Sequence, residues 1–183
     1  MTYGFIKNLL SESGLVKLSI DDLPYGKKEL SPVLSKDTLD YHYENLAKTY
    51  AKRYNAGEGD PMFNEAGVFL HNILFQQYKE PKSNNEPVGK ILELINKHFK
   101  SFANFKSEFE KAAMSIQGSG WVYLAKDGKI KTITNHSIKK DIVVLVDWWE
   151  HAWALDYQQD KKSYLENQWK IINWDYINES SAI

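Results

Sequence analysis

The stretch IVVLVDWWEHAW, residues 142–153, decides how the rest of the chain is read. Its first half is a short β-branched run that suits a buried strand. Asp147 follows directly, and His151 stands four residues later, one helical turn away if a helix begins at Asp147. Both side chains would then face one centre. A carboxylate at the end of a buried strand requires a cation, a donor network or a metal. A helix-capping aspartate with a packed histidine satisfies the same spacing.

Upstream of this stretch, residues 121–124 have strand character, and Asp127-Gly128 between WVYLAK and KIKTIT is the two-residue signal of a tight hairpin. Residues 91–99 and 105–116 are helical by period, and helical spacing returns from Trp148 to near Tyr176. The polar segment KEPKSNNEPVG, residues 79–89, holds two prolines and reads as a linker. Ahead of it, Leu39, His42, Tyr43, Leu46, Tyr50 and Tyr54 share one stripe of a helix over 37–55. Gly57, Gly59 and Pro61 interrupt the pattern, and Val68, His71, Leu74, Phe75 and Tyr78 mark a second helix. The expected fold class is α+β: an N-terminal antiparallel helical hairpin over 1–82, and a C-terminal α/β lobe over 83–183 with a small three-stranded antiparallel sheet.

At 183 residues and 43% hydrophobic, the chain can bury a substantial core. Its 23 basic and 24 acidic residues are interspersed, which disfavours nucleic acid or an anionic membrane surface as a partner. No run reaches the ~20 apolar residues of a membrane span, and the first 22 residues lack the pattern of a secretory leader, so a cytoplasmic protein is expected. Cysteine is absent, so a bound metal must take nitrogen and oxygen ligands.

Such ligands are available. His42 and His71 lie on the inner stripes of neighbouring helices, and with Asp147 and His151 they make three imidazoles and one carboxylate. That set suits iron, manganese or zinc, and helical proteins build such sites from facing helices. Each histidine taken singly also fits an ordinary hydrogen-bonded core residue.

The runs GSGWVYL (118–124), DWWEHAW (147–153) and DYQQDKKSYLENQWKIINWDYI (156–177) resemble the C-terminal domain of iron/manganese superoxide dismutases, in the same order and at similar spacing. LPYGKKELSP (23–32) and DTLDYHYENLAKTY (37–50) resemble that family's opening and first long helix. The resemblance implies His42, His71, Asp147 and His151 as ligands of one iron or manganese ion per subunit. His71 takes its place with a one-residue deletion upstream of it; aligned without a gap, Asn72 would stand there. The implied activity is ping-pong disproportionation of superoxide to oxygen and hydrogen peroxide.

The resemblance also assigns Tyr50 to the family's gateway tyrosine. Gly67 stands where some members carry a glutamine, and His136 falls at the alternative position, so His136 is expected to replace that glutamine and to donate to active-site solvent. Trp121 and Trp149 would wall the site. Two departures stand out: the gateway histidine is Leu46 here, and the tyrosine that meets it from the other subunit is Ala154. Glu150 is retained beside His151, implying a homodimer in which Glu150 meets the partner's ligand histidine. The rival readings are a non-enzymatic dismutase-like structural protein and a different metal-dependent oxidoreductase on the same fold.

Overall fold

The computed structural model describes residues 9–10 and 16–180, and the expectation for the first 22 residues falls largely outside them. Strands β1 (Leu9–Leu10) and β2 (Val16–Lys17) pair antiparallel. The extended segment that follows is strapped down by two amide side chains. Asn55 accepts from Leu18 N at 2.9 Å and donates to Leu18 O at 2.8 Å. Asn72 accepts from Asp21 N at 2.9 Å and donates to Ser19 O at 3.0 Å. Each amide thereby imitates a neighbouring strand.

Ser35 caps α1 (Lys36–Leu39), its hydroxyl accepting from Thr38 N at 3.1 Å. The chain then widens into a π-helical stretch, Asp40–Ala47, and narrows again in α2 (Lys48–Ala56). Apolar spacing predicts a regular helix here, because it registers one buried face and not the number of residues per turn. The outer face carries an ion-pair ladder in which Lys27 meets Asp40 at 2.9 Å and Glu44 at 2.8 Å, flanked by Lys36–Asp40 and Lys48–Glu44. The inner face buries His42, Tyr43 and Ala47.

Gly57 ends α2 in the left-handed conformation. Asp60 then caps α3 (Pro61–Gln76) by accepting from Phe63 N at 2.8 Å, with Pro61 in the first turn where its missing N–H costs nothing. Helix α3 therefore begins before the apolar run that marks it in sequence. Helices α4 (Gly89–Phe99) and α5 (Phe102–Met114) follow the linker, the second capped by Ser101.

The sheet comprises β3 (Gly120–Ala125), β4 (Ile130–Thr134) and β5 (Ile142–Asp147), all antiparallel in the order β4-β3-β5. The hairpin at Asp127-Gly128 is wider than the two-residue turn expected. Gly128 N bonds Ala125 O, Ala125 N bonds Lys129 O, and Gly128 sits at φ 76°, the geometry of a three-residue loop with a left-handed glycine.

After β5 the chain does not form one continuous helix. It makes a 3₁₀ turn (Glu150–Ala152) and three short helices, α6 (Ala154–Tyr157), α7 (Lys161–Gln168) and α8 (Trp174–Glu179). Asp160 and Asn173 cap the last two and restart the helix each time. One apolar core joins Leu39, Leu74 and Phe75 to Phe109, Trp121 and Trp148, while Leu18, Tyr50, Ala51 and Val68 form a smaller cluster under the strapped segment. Among the described residues no helix is long and apolar enough to cross a membrane.

Candidate metal centre

Four elements deliver the four expected ligands. His42 projects from the π-helical stretch, His71 from α3, Asp147 from the last position of β5 and His151 from the 3₁₀ turn. No helix begins at Asp147; the short 3₁₀ turn nonetheless returns His151 Nε2 to 3.2 Å from Asp147 Oδ2. His42 Nε2 approaches the same oxygen at 3.1 Å and His71 Nε2 at 3.8 Å. One donor atom from each residue lies within 4.8 Å of all the others.

Asp147 is wholly buried and is held from several sides. Its Oδ1 accepts from Trp149 N at 2.8 Å, and its main-chain carbonyl accepts from the Tyr164 hydroxyl at 3.0 Å. Burial pushes its carboxyl up, but His151 and His42 outweigh that and hold it well below the usual carboxylate range. Burial acts the opposite way on bases, lowering His42 and holding His71 well below an ordinary imidazole. His71 Nδ1 faces Gly67 O at 2.7 Å, a bond it makes only as donor, so Nε2 carries the lone pair. Although His42 Nε2 is within ion-pair distance of Asp147, neither it nor His71 Nε2 has an aligned hydrogen-bond partner. A buried anion facing imidazole nitrogens that lack aligned partners is what a cation would complete. The donor set therefore fits iron or manganese.

An aromatic wall surrounds this cluster. Trp121 meets His71 edge-on at 5.1 Å between centroids, Phe75 meets His42 at 5.1 Å, and Trp149 stacks on His151 at 5.6 Å. His136 also reaches the site, its ring 5.8 Å from that of His71, 5.0 Å from that of Tyr50 and stacked on Trp149 at 4.6 Å. Trp121 Nε1 donates to His136 Nδ1 at 3.1 Å, so the His136 proton resides on Nε2, which is buried without a partner. Burial pushes His136 down to about 4. Tyr50 is pushed up to about 12, chiefly by burial and then by the charge of Asp147.

Three contributions escape a linear reading. A Cβ on Gly67 would lie 2.8 Å from Tyr50 Cγ, so the missing side chain makes room for that ring against α3. Tyr164 secures the Asp147 carbonyl, and Trp121 sets the tautomer of His136 as well as walling the site. None has a local sequence signal. Leu46 and Ala154 are half-buried, and Glu150 is exposed.

Residues 87–180 match the family described as iron/manganese superoxide dismutases, C-terminal domain. Among curated proteins, the chain is similar to the superoxide dismutase [Fe] of Bacteroides fragilis, 34% identical over 86% of this chain and 95% of that protein. It is similar to the superoxide dismutase [Fe] of Escherichia coli, 32% identical over 87% and 96%, and to the superoxide dismutase [Mn/Fe] of Porphyromonas gingivalis, 36% identical over 85% and 94%. With this match over half of the chain and these relatives over most of it, the chain belongs to the iron/manganese superoxide dismutase family.

Proposed function

We propose that the chain is a superoxide dismutase, with His42, His71, Asp147 and His151 holding one iron or manganese ion. The observation that carries this reading is the convergence of four donor atoms within 4.8 Å in a buried, aromatic-walled position. The chemistry supplied by the ion when bound is a one-electron couple, through which one superoxide leaves as oxygen and a second, taking up two protons, leaves as hydrogen peroxide.

The surrounding residues orient and protonate. Asp147 supplies the single negative charge of the ligand set. His136 presents a fixed Nε2–H and acts as donor to solvent or superoxide at the site, a role supported by its bond from Trp121. Tyr50, pushed up to about 12, keeps its hydroxyl proton through the physiological range and serves as a second donor. Trp121, Trp149 and Phe75 limit water at the site. Leu46 and Ala154 leave an access route without the family's histidine and tyrosine pair, so hydrogen bonds to the site come from Tyr50 and His136.

The same reading makes the protein a homodimer in which Glu150 of one subunit meets His151 of the other; the exposure of Glu150 beside a ligand supports it. It also divides the chain into lobes 1–82 and 83–183, supported by the span of the C-terminal family match. A cytoplasmic location belongs to the proposal and is tested by cell fractionation.

Elemental analysis of protein from its native source, coupled to superoxide removal after reconstitution with each metal, tests the function. Stoichiometric iron or manganese with superoxide turnover is expected. Metal-free preparations, or a metal that supports no turnover, would overturn it.

A further inference from the structure

Strand β5 delivers Asp147 but is the outer strand of its sheet, so among the described residues no strand pairs with one of its edges. The edge is nonetheless inside the protein: Leu145 and Asp147 are fully buried. Backbone N–H and C=O groups there need partners, since an unmade hydrogen bond in the interior is destabilising.

Helices supply those partners. The Gln77 amide accepts from Leu145 N at 3.1 Å through Oε1, and its NH₂ donates to Leu145 O. Tyr164 of α7 covers the next outward-facing carbonyl, that of Asp147. Gln77 is the C-cap residue of α3, six residues after His71, and Leu145 precedes Asp147 by two. The amide thus ties the helix bearing one donor to the strand bearing another. Its own main chain is anchored separately, Gln77 O accepting from Asn173 N at 2.7 Å and Tyr78 bridging Ile172. Those main-chain bonds tie the end of α3 to residues 172–173, whereas the side chain commits both of its polar atoms to one residue of β5, Leu145.

We infer that Gln77 is a positioning residue of the metal centre: its two hydrogen bonds to Leu145 fix α3 against β5 and so set the spacing between His71 and Asp147. That spacing is 3.8 Å from His71 Nε2 to Asp147 Oδ2. Gln77 acts through the backbone and has no contact with the donor atoms. The inference rests on the reading of His71 and Asp147 as ligands.

The test uses the full chain loaded with iron. Gln77→Met keeps the length of the side chain and removes both hydrogen bonds. Phe109→Leu, in the core contributed by α5, serves as the control for lost stability. Expected for Gln77→Met are a shifted absorption spectrum of the ferric protein and roughly tenfold faster extraction of iron by a chelator. The control should show neither, even where its melting temperature falls as far. Should Gln77→Met fail to fold, Gln77→Glu, which loses the amide donor, is read in the same way.

A parent-like spectrum and extraction rate in the variant, or equal changes in the control, would overturn the inference. Crystal structures of parent and variant supply a readout independent of metal: the His71–Asp147 distance is expected to change, and an unchanged distance refutes the role of Gln77. A parent chain that binds neither iron nor manganese instead removes the ligand reading, leaving that distance to decide the inference.

Discussion

Trp121 donates its indole N–H to Nδ1 of His136 at 3.1 Å, and this bond determines which imidazole nitrogen keeps the proton. The residues are 15 apart in sequence and sit on opposite sides of the β3–β4 hairpin, near the register pair Trp121↔Ile133. Without the indole, His136 could carry its proton on either nitrogen. With it, a buried Nε2–H is available as a donor.

Trp121→Phe keeps an aromatic wall and removes the donor. Turnover is expected to fall about tenfold, as for loss of an orienting hydrogen bond beside a metal site. Steady-state kinetics of the loaded protein measures this, and ¹⁵N spectra of the His136 ring report whether the second tautomer becomes populated. Unchanged kinetics together with a single Nε2–H tautomer would remove the orienting role of Trp121.

Gly67→Ala sets two effects against each other. Helix propensity favours alanine by about 1 kcal/mol. The new Cβ would lie 2.8 Å from Tyr50 Cγ and 3.0 Å from Cδ2, inside the contact limit of a ring with little freedom to withdraw. Overpacking of this kind costs about 1–3 kcal/mol, so net destabilisation is expected, with Tyr50 displaced from His71. Denaturant unfolding checks the sign, and a variant more stable than the parent would contradict the contact.

Acid should weaken the fold through His136. In the unfolded chain this residue titrates near an ordinary imidazole, whereas burial pushes it down to about 4 in the folded protein. Between those values the unfolded state binds more protons, so this contribution is level above about pH 6.5, falls as pH drops towards 4 and is level again below. The loss across the window is on the order of 3 kcal/mol. Comparing metal-free His136→Gln with the metal-free parent isolates the term. The variant should lose less stability between pH 7 and pH 4.5, and parallel profiles would refute it.

Asp147→Asn preserves size and removes the charge that faces three imidazoles. Metal content is expected to fall by roughly tenfold or more, because the neutral amide is a poor ligand and its NH₂ presents protons to the site. Elemental analysis of the purified variant is the measurement. Full metal occupancy would show that Asp147 does not hold the ion.

The sequence by itself determined the local elements and the family. Period-3.6 stripes located the long helices, the β-branched run 142–146 located β5, and the chemistry of Ser35, Asp60 and Ser101 as caps agrees with where three helices begin. These signals are legible because each depends on residues within a turn or two of one another. Breaks after Trp153 were less legible, since Asp160 and Asn173 interrupt a helical apolar spacing without disturbing it.

Tertiary structure alone decided the geometry of the site. His42 and Asp147 are 105 residues apart, and no spacing rule could bring Nε2 and Oδ2 to 3.1 Å. The π winding of Asp40–Ala47, the room that Gly67 leaves for Tyr50, the tautomer of His136 and the grip of Gln77 on Leu145 all depend on packing between distant segments. Periodicity records which face of an element is apolar. It carries no information about the partner that face or a buried polar atom will meet, and here those partners fix the protons, the donor spacing and hence the chemistry.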